Sequence, residues 1–199
     1  MKRFYDSKAG KERVSIQPGE MYVTQKNEII YTVLGSCISV CLRDNEIPVS
    51  GMNHFMLPKR MNGTSFSANA DKGRFGDEAL NELLSEVTRL GAAPSRLTAQ
   101  VFGGSAAISK CCEKHCVSRE NAELAFSFLR ARNIPVISAD TGGTCGRRIH
   151  FDTGSGAVLV EPLKEQGFES CRVVSAPRID APSLPSSCCR ETRRLGREV

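Results

Sequence analysis

The sequence contains no tryptophan, and its aromatic residues, 6% of the chain, do not alternate with basic residues along a stripe. Proteins that bind single-stranded nucleic acid stack bases on aromatic side chains in a basic groove, so nucleic acid is a disfavoured partner. No apolar run approaches the ~20 residues of a membrane-spanning helix. The first residues are charged and lack the apolar stretch of a secretory signal. We therefore expect a cytoplasmic protein without membrane insertion.

The length and the cysteine content limit the fold and the redox state. The chain has 199 residues, 40% of them hydrophobic, which is enough for one domain with a substantial core. Nine cysteines would suggest disulfides in a small secreted protein. In the reducing compartment expected here, the default is that they are thiols, metal ligands or catalysts. The formal charge of +5 favours acidic partners without identifying them.

Composition divides the chain into three regions. Residues 1–13 are polar and basic and are expected to be flexible. Residues 14–176 carry the strand and helix patterns and form the predicted domain. Residues 177–199 are rich in Pro, Ser and Arg and are expected to be disordered. Predicted strands outnumber helices without a regular βαβ alternation, which indicates an α+β fold with mixed or antiparallel sheets.

Two helices are predicted from apolar spacing. The first runs from Asp77 to Leu90, with Gly91 as its stop and apolar residues at helical spacing. Those residues are Leu80, Leu83, Leu84, Val87 and Leu90. The second helix is predicted to begin with Ser118 as its cap and to run to about Arg132.

Cys37 is the first candidate for chemistry. It follows Gly35 and Ser36, where a tight turn is permitted, and it opens an apolar strand. Backbone N–H groups at such a turn can converge on a developing oxyanion. The alternative is a buried strand cysteine, which is the interpretation for Cys41. A single cysteine with a distant histidine is a weak signal on its own.

His54 is the second candidate, because it is a polar residue among apolar neighbours on the next predicted strand. A strand and a tight turn separate it from Cys37, so adjacent strands can bring the two side chains together. An ordinary thiol with a pKa of ~8.5 is largely protonated at neutral pH, and a nearby imidazole can activate it. The alternative is a structural core histidine.

Three segments resemble the chemoreceptor glutamine deamidase family, CheD. They are residues 32–44 (TVLGSCISVCLRD), residues 51–58 (GMNHFMLP), and residues 141–143 with 146–153 (TGG and GRRIHFDT). Residues 18–20 (PGE) fit as well, and the resemblance extends from about Val14 to Val160 in consistent order. The Leu-Gly-Ser-Cys and Gly-Met-x-His elements are specific.

The resemblance implies a bacterial chemotaxis enzyme that hydrolyses receptor glutamines to glutamate, with the cytoplasmic helices of methyl-accepting chemoreceptors as partners. A chemotaxis phosphatase as a second partner is left open. The implied catalytic residues are Cys37, His54 and Thr32. In some members the threonine stands one residue further from the cysteine, where this chain has Tyr31. The implied fold is an α+β layered sandwich like that of bacterial deamidating toxins.

The mechanism that follows needs no metal or other cofactor. His54 takes the thiol proton, Cys37 attacks the glutamine amide, ammonia departs, and water hydrolyses the thioester. Thr32 would orient the imidazole. The glycine-rich segment before Arg147 and Arg148 lacks a phosphate-loop pattern. We expect a structural turn there, with one of the two arginines contacting acidic substrate.

Two alternatives remain open. A non-catalytic adaptor would keep the fold and bind receptors or a phosphatase. A metal-binding regulator would use Cys111, Cys112, His115 and Cys116, which are soft ligands within six residues. Structural zinc sites usually combine two separated ligand pairs, so surface thiols are the alternative interpretation of this cluster. His150 is expected to face solvent.

Overall fold

The computed structural model describes residues 1–60, 73–106, 116–163 and 172–174. Within them lie eleven strands, two α-helices and the short 3₁₀ helix Pro94–Arg96. The strands before the first helix are β1 Lys2–Asp6, β2 Lys11–Ser15, β3 Met21–Thr24, β4 Ile29–Leu34, β5 Ile38–Asp44 and β6 Ser50–Asn53. The remaining elements are α1 Gly76–Arg89, β7 Leu97–Gly103, α2 Val117–Ala131, β8 Val136–Thr141, β9 Arg147–Asp152, β10 Val158–Pro162 and β11 Arg172–Val174.

The strands form two sheets. The six-stranded sheet has the order β1-β2-β4-β9-β10-β11, and the five-stranded sheet has the order β3-β6-β5-β7-β8. Pairing is parallel between β2 and β4 and between β7 and β8, and antiparallel between the other neighbours described. The predicted α+β layered fold with mixed sheets is therefore confirmed.

The two helices, the five-stranded sheet and the six-stranded sheet form three layers, and a hydrophobic cluster lies between each neighbouring pair. One cluster joins both helices to the five-stranded sheet and includes Leu80, Leu83 and Leu129. The other lies between the two sheets and combines residues of the six-stranded sheet, such as Ile30 and Phe151, with residues of the five-stranded sheet. The five-stranded sheet is thus covered on both faces, which explains why β5 is a nearly continuous apolar run.

Side-chain alternation in β5 decides which layer each residue faces. Ile38, Val40 and Leu42 belong to the helix-side cluster, whereas Cys41 belongs to the cluster between the sheets. Because side chains alternate along a strand, odd-numbered positions in this stretch point towards the six-stranded sheet. Cys37 packs against the same cluster between the sheets.

The first helix prediction is confirmed within one residue at each end, since α1 spans Gly76–Arg89. The second helix also exists, but its predicted cap is wrong. Cys116 occupies the cap position, and Ser118 lies inside the helix, where its hydroxyl donates to the Ser105 carbonyl at 3.1 Å. A serine that bonds to a neighbouring segment is not free to cap its own helix.

The N-terminal segment is more ordered than its composition indicated. Residues 1–13, expected to be flexible, contain β1 and most of β2, which pair from Lys2 opposite Ser15 to Asp6 opposite Lys11. The N-terminal ammonium of Met1 lies 2.6 Å from the Glu20 carboxylate. β1 is nonetheless exposed along almost its whole length, so the hairpin is held by strand pairing rather than by a buried apolar face of β1. Residues 177–199 lie outside the described ranges.

Candidate active site

Cys37 lies where the chain passes from one sheet to the other. β4 belongs to the six-stranded sheet and β5 to the five-stranded sheet, so residues 35–37 form the crossover. The end of β7 holds this crossover in place: the Gly104 N–H donates to the Cys37 carbonyl and the Ser105 N–H donates to the Gly35 carbonyl, each at 2.8 Å. The thiol is half-buried on a backbone fixed at both sides.

Gly103 explains why β7 can approach so closely. Its φ is +112°, and a Cβ there would collide with the Cys37 carbonyl oxygen. Glycine is therefore required on both grounds, conformation and space. The contact of this glycine with the cysteine segment was not predictable from spacing along the sequence.

His54 follows β6 and is only 1% exposed. Its backbone N–H donates to the Glu20 carbonyl at 3.0 Å, and its carbonyl accepts from the Gly19 N–H at 2.7 Å. The turn at residues 18–20, one of the segments that carries the family resemblance, therefore holds the histidine backbone. The imidazole points across the space between the sheets, where its Nδ1 lies 2.8 Å from Thr32 Oγ1 of β4.

The hydrogen bonds of Thr32 determine the tautomer of His54. The Thr32 hydroxyl lies 2.8 Å from the Ile16 carbonyl, which can only accept. A hydroxyl has one proton, so Thr32 donates to Ile16 and accepts from His54. Nδ1 of His54 therefore carries the proton, and Nε2 is the basic nitrogen. Nε2 is buried and has no hydrogen-bond partner among the described residues.

Strand geometry places the thiol and the imidazole on one face. Ile38 and Phe55 form an antiparallel pair that exchanges two backbone hydrogen bonds, at 3.1 and 3.0 Å. Both of their side chains belong to the helix-side cluster, so the flanking Cys37 and His54 side chains point to the opposite side. The two residues are diagonal neighbours across the pair, a spacing that long or aromatic side chains can bridge.

Burial keeps both groups neutral in the free protein. Burial lowers the pKa of His54 to about 4. Burial also raises the pKa of the Cys37 thiol, although the backbone N–H of Cys37 and the Ser36 hydroxyl oppose the shift in part. At neutral pH the thiol and the imidazole are thus both uncharged, and Nε2 of the imidazole carries a lone pair that can accept a proton.

Tyr31, the alternative to Thr32, lies on the other face of β4. Its ring stacks on His150, with centroids 5.8 Å apart and planes at 17°. Thr32 is the residue of the two that contacts His54. His150 does not face solvent as expected: it is half-buried, and its ring nitrogens lie 3.0 Å from Arg13 and 3.3 Å from Glu161.

The two arginines expected near substrate have different surroundings. Arg147 is 6% exposed and donates to the Asp140 and Gly142 carbonyls and to the Asp140 carboxylate. These donors hold the glycine-rich turn, and the expectation that one of the two arginines contacts acidic substrate stays a prediction. Arg148 is exposed and lies 3.4 Å from Glu161.

The cysteine-histidine cluster falls largely outside the described residues. Cys111, Cys112 and His115 lie there, and Cys116 is buried and disulfide-bonded, so it is not a surface thiol. The described part of the chain holds no group of three His, Cys, Asp or Glu residues that could bind a metal ion. Neither of its helices is long and apolar enough to cross a membrane.

Comparison with known proteins adds independent information. The family model for CheD, described as chemotactic sensory transduction, matches residues 56–162, a range that begins after His54. A probable chemoreceptor glutamine deamidase CheD 1 of Dechloromonas aromatica is 37% identical over 161 residues, covering 81% of this chain and 78% of that protein. The probable CheD of Bordetella avium is 36% identical over 203 residues, covering 92% and 88%. That of Hahella chejuensis is 37% identical over 162 residues, covering 81% and 75%.

Proposed function

The chain belongs to the CheD family, and we propose that it is a chemoreceptor glutamine deamidase with Cys37 as nucleophile, His54 as general base and Thr32 as the residue that orients His54. The curated relatives carry the name of this activity. The observation that supports the site assignment is the Thr32–His54 hydrogen bond, which makes Nε2 the basic nitrogen. On the face that Cys37 shares, Nε2 has no hydrogen-bond partner among the residues that the structure describes.

The first half of the reaction forms a thioester. Nε2 of His54 removes the thiol proton while the Cys37 sulfur attacks the side-chain carbonyl carbon of glutamine. The backbone N–H of Cys37 lies close enough to its own thiol to lower the thiol pKa, so it is suitably placed to stabilise the oxyanion. The imidazolium then returns its proton to the departing nitrogen, the C–N bond breaks, and ammonia leaves.

The second half regenerates the enzyme. Nε2 takes a proton from water, the resulting hydroxide attacks the thioester carbonyl, and the C–S bond breaks to release glutamate and the thiolate. The proton on Nε2 returns to sulfur. The net change is glutamine plus water to glutamate plus ammonia. No metal participates in these steps, and the reacting partners are the cytoplasmic helices of receptors.

Mass spectrometry of a receptor cytoplasmic fragment tests this proposal. Incubation with the protein in ¹⁸O-labelled water should convert particular glutamines to glutamates that each carry one labelled oxygen. Cys37→Ala should lower this conversion by at least ~10³-fold, because a nucleophile has no substitute. Cys145→Ala, which removes another free thiol, is the matched control and should leave it unchanged.

The alternative hypothesis of an adaptor predicts a different result. In that case the receptor fragment binds the protein but its glutamines remain unchanged. Hydroxylamine gives a further test, since it should intercept the thioester and yield a glutamine hydroxamate in the receptor. Conversion of receptor glutamine at the wild-type rate by Cys37→Ala would eliminate the mechanism.

A further inference from the structure

Asn121 is a buried polar residue of α2 that contacts both halves of the candidate site. None of it is exposed. Its Nδ2 donates to the Met56 carbonyl at 2.8 Å and to the Ser36 carbonyl at 3.3 Å. Ser36 directly precedes Cys37, and Met56 lies just beyond His54. One carboxamide from a third element therefore bridges the two segments.

The bridge replaces strand pairing at the point where pairing stops. After the Ile38–Phe55 pair, a continued ladder would pair Ser36 with Leu57. The Leu57 N–H instead donates to the Arg74 carbonyl at 3.1 Å, and the Leu57 carbonyl accepts from the Gly76 N–H at 2.7 Å. The Ser36 carbonyl is thus left without its ladder donor. A buried carbonyl without a partner is destabilising, and the Asn121 amide supplies the missing hydrogen bond.

The orientation of the Asn121 amide follows from the same contacts. Rotating the amide by half a turn would place Oδ1 against two carbonyl oxygens, which cannot donate. Oδ1 itself is buried and has no hydrogen-bond partner among the described residues. The side chain therefore contributes through its two donors, and both donors reach the segments that carry Cys37 and His54.

We propose that Asn121 is a positioning residue, whose amide sets the separation between the Cys37 thiol and the His54 imidazole by joining their segments where the sheet ladder ends. The catalytic consequence rests on the proposed function, because only a reaction between these two groups makes their separation matter. The bridge itself has consequences that can be measured without an activity assay.

Steady-state deamidation kinetics test the catalytic consequence. Asn121→Leu keeps the approximate size and removes both donors, and it should lower kcat by about 10²-fold with KM nearly unchanged, since small displacements of reacting groups have effects of this size. Asn121→Asp is the second variant and should lose at least as much, because a carboxylate offers no donor to the two carbonyls. Leu129→Ala, a core variant of the same helix, is the stability-matched control and should keep kcat per folded molecule. Wild-type kcat in folded Asn121→Leu would overturn the proposal.

NMR titration gives a readout that does not depend on activity. In the wild type, the pKa of His54 should be near 4. In Asn121→Leu it should rise towards the ordinary 6.5, because the loosened segment admits water, whereas Leu129→Ala should not change it. An unchanged His54 pKa in the Asn121 variants would overturn the proposal even if the wild type shows no deamidation, an outcome that would separately refute the proposed function.

Hydrogen exchange in the wild-type protein tests the bridge even if the variants do not fold. The two side-chain amide protons of Asn121 should exchange slowly with solvent, because both are hydrogen-bonded in a buried site. Exchange as fast as that of exposed asparagines would show that the bridge does not persist in solution.

Discussion

The β5–β6 hairpin has a buried ionisable side chain at each end. One of them has many hydrogen-bond partners and the other has few. Asp44, at the turn end, accepts hydrogen bonds from the N–H groups of Glu46, Ile47 and Ala93 and is paired with Arg96 at 2.9 Å. His54, at the other end, contacts Thr32 through one ring nitrogen, and its second nitrogen has no partner among the described residues.

The pKa shifts reflect this difference. Burial alone would raise the pKa of Asp44, but the hydrogen bonds from Arg96 and the backbone more than offset it and hold the pKa well below its ordinary value. Burial lowers the pKa of His54, with no compensating acidic neighbour. Asp44 is thus a charged group that its surroundings satisfy completely, which suits a structural role. His54 is a neutral imidazole whose Nε2 has no hydrogen-bond partner among the described residues, as a proton acceptor requires, although its lowered pKa makes it a weaker base.

The largest expected effect is on activity at the His54 end. His54→Gln should lower kcat for deamidation by about 10²- to 10⁴-fold, the usual contribution of a general base. Its melting temperature should stay close to that of the wild type, because among the described residues the lost imidazole has a single side-chain hydrogen bond, to Thr32. Kinetics and thermal melts on the same preparation measure both quantities. A variant that keeps its activity would remove His54 from the mechanism.

A substitution at the Asp44 end should lower the stability of the protein rather than its activity. Asp44→Asn should lower the free energy of unfolding by roughly 1.5–3 kcal/mol, because an amide cannot replace all the hydrogen bonds that the buried carboxylate accepts from Arg96 and the backbone. The deamidation rate per folded molecule should not change. Urea unfolding measures the first quantity, and kinetics at low temperature measure the second. Glu46→Gln is the control, since Glu46 is an exposed partner of the same arginine and should contribute little. Equal losses of unfolding free energy in Asp44→Asn and Glu46→Gln would contradict the structural role of Asp44.

The two ends of the hairpin should also lose their contributions to stability at different pH values. The folded-state pKa of His54, about 4, lies below the ordinary 6.5, so the folded protein binds fewer protons between these values. Its stability should therefore fall as the pH drops from 6.5 towards 4, by up to about 3 kcal/mol. The contribution of Asp44 is lost only at still lower pH. Urea unfolding as a function of pH should show that His54→Gln lacks the first decrease and keeps the second.

The smallest effect concerns the orientation of His54. Thr32→Val keeps the shape but leaves Nδ1 without an acceptor, so kcat should fall by about 10-fold with KM unchanged, roughly 1.4 kcal/mol in the barrier. Thr32→Ser retains the hydroxyl and should recover most of the rate. Tyr31→Phe is the control on the other face and should behave as the wild type. If Thr32→Ser is no better than Thr32→Val, the hydroxyl does not orient the base.

Local patterns were sufficient for much of the fold. The apolar spacing that predicted α1 depends on residues three and four apart, which lie on one helix face whatever surrounds them. The β5 strand was predictable from its own apolar run, and the turn before Cys37 from Gly35. Composition was a poorer guide at the N-terminus: β1 is exposed along almost its whole length and is ordered by its pairing with β2, which composition does not reveal.

The sequence by itself determined which residues were candidates for chemistry, since Cys37 and His54 stand out from their neighbours along the chain and Thr32 is implied by the family resemblance. Tertiary structure decided how they relate. Thr32 and Tyr31 differ by one position, and only the pairing of β4 in its sheet places Thr32 against the imidazole and Tyr31 on the opposite face. The burial of Arg147 and the bridge made by Asn121 likewise depend on contacts with segments far away in sequence. Side-chain alternation is local, but the register that directs each face is set by long-range strand pairing.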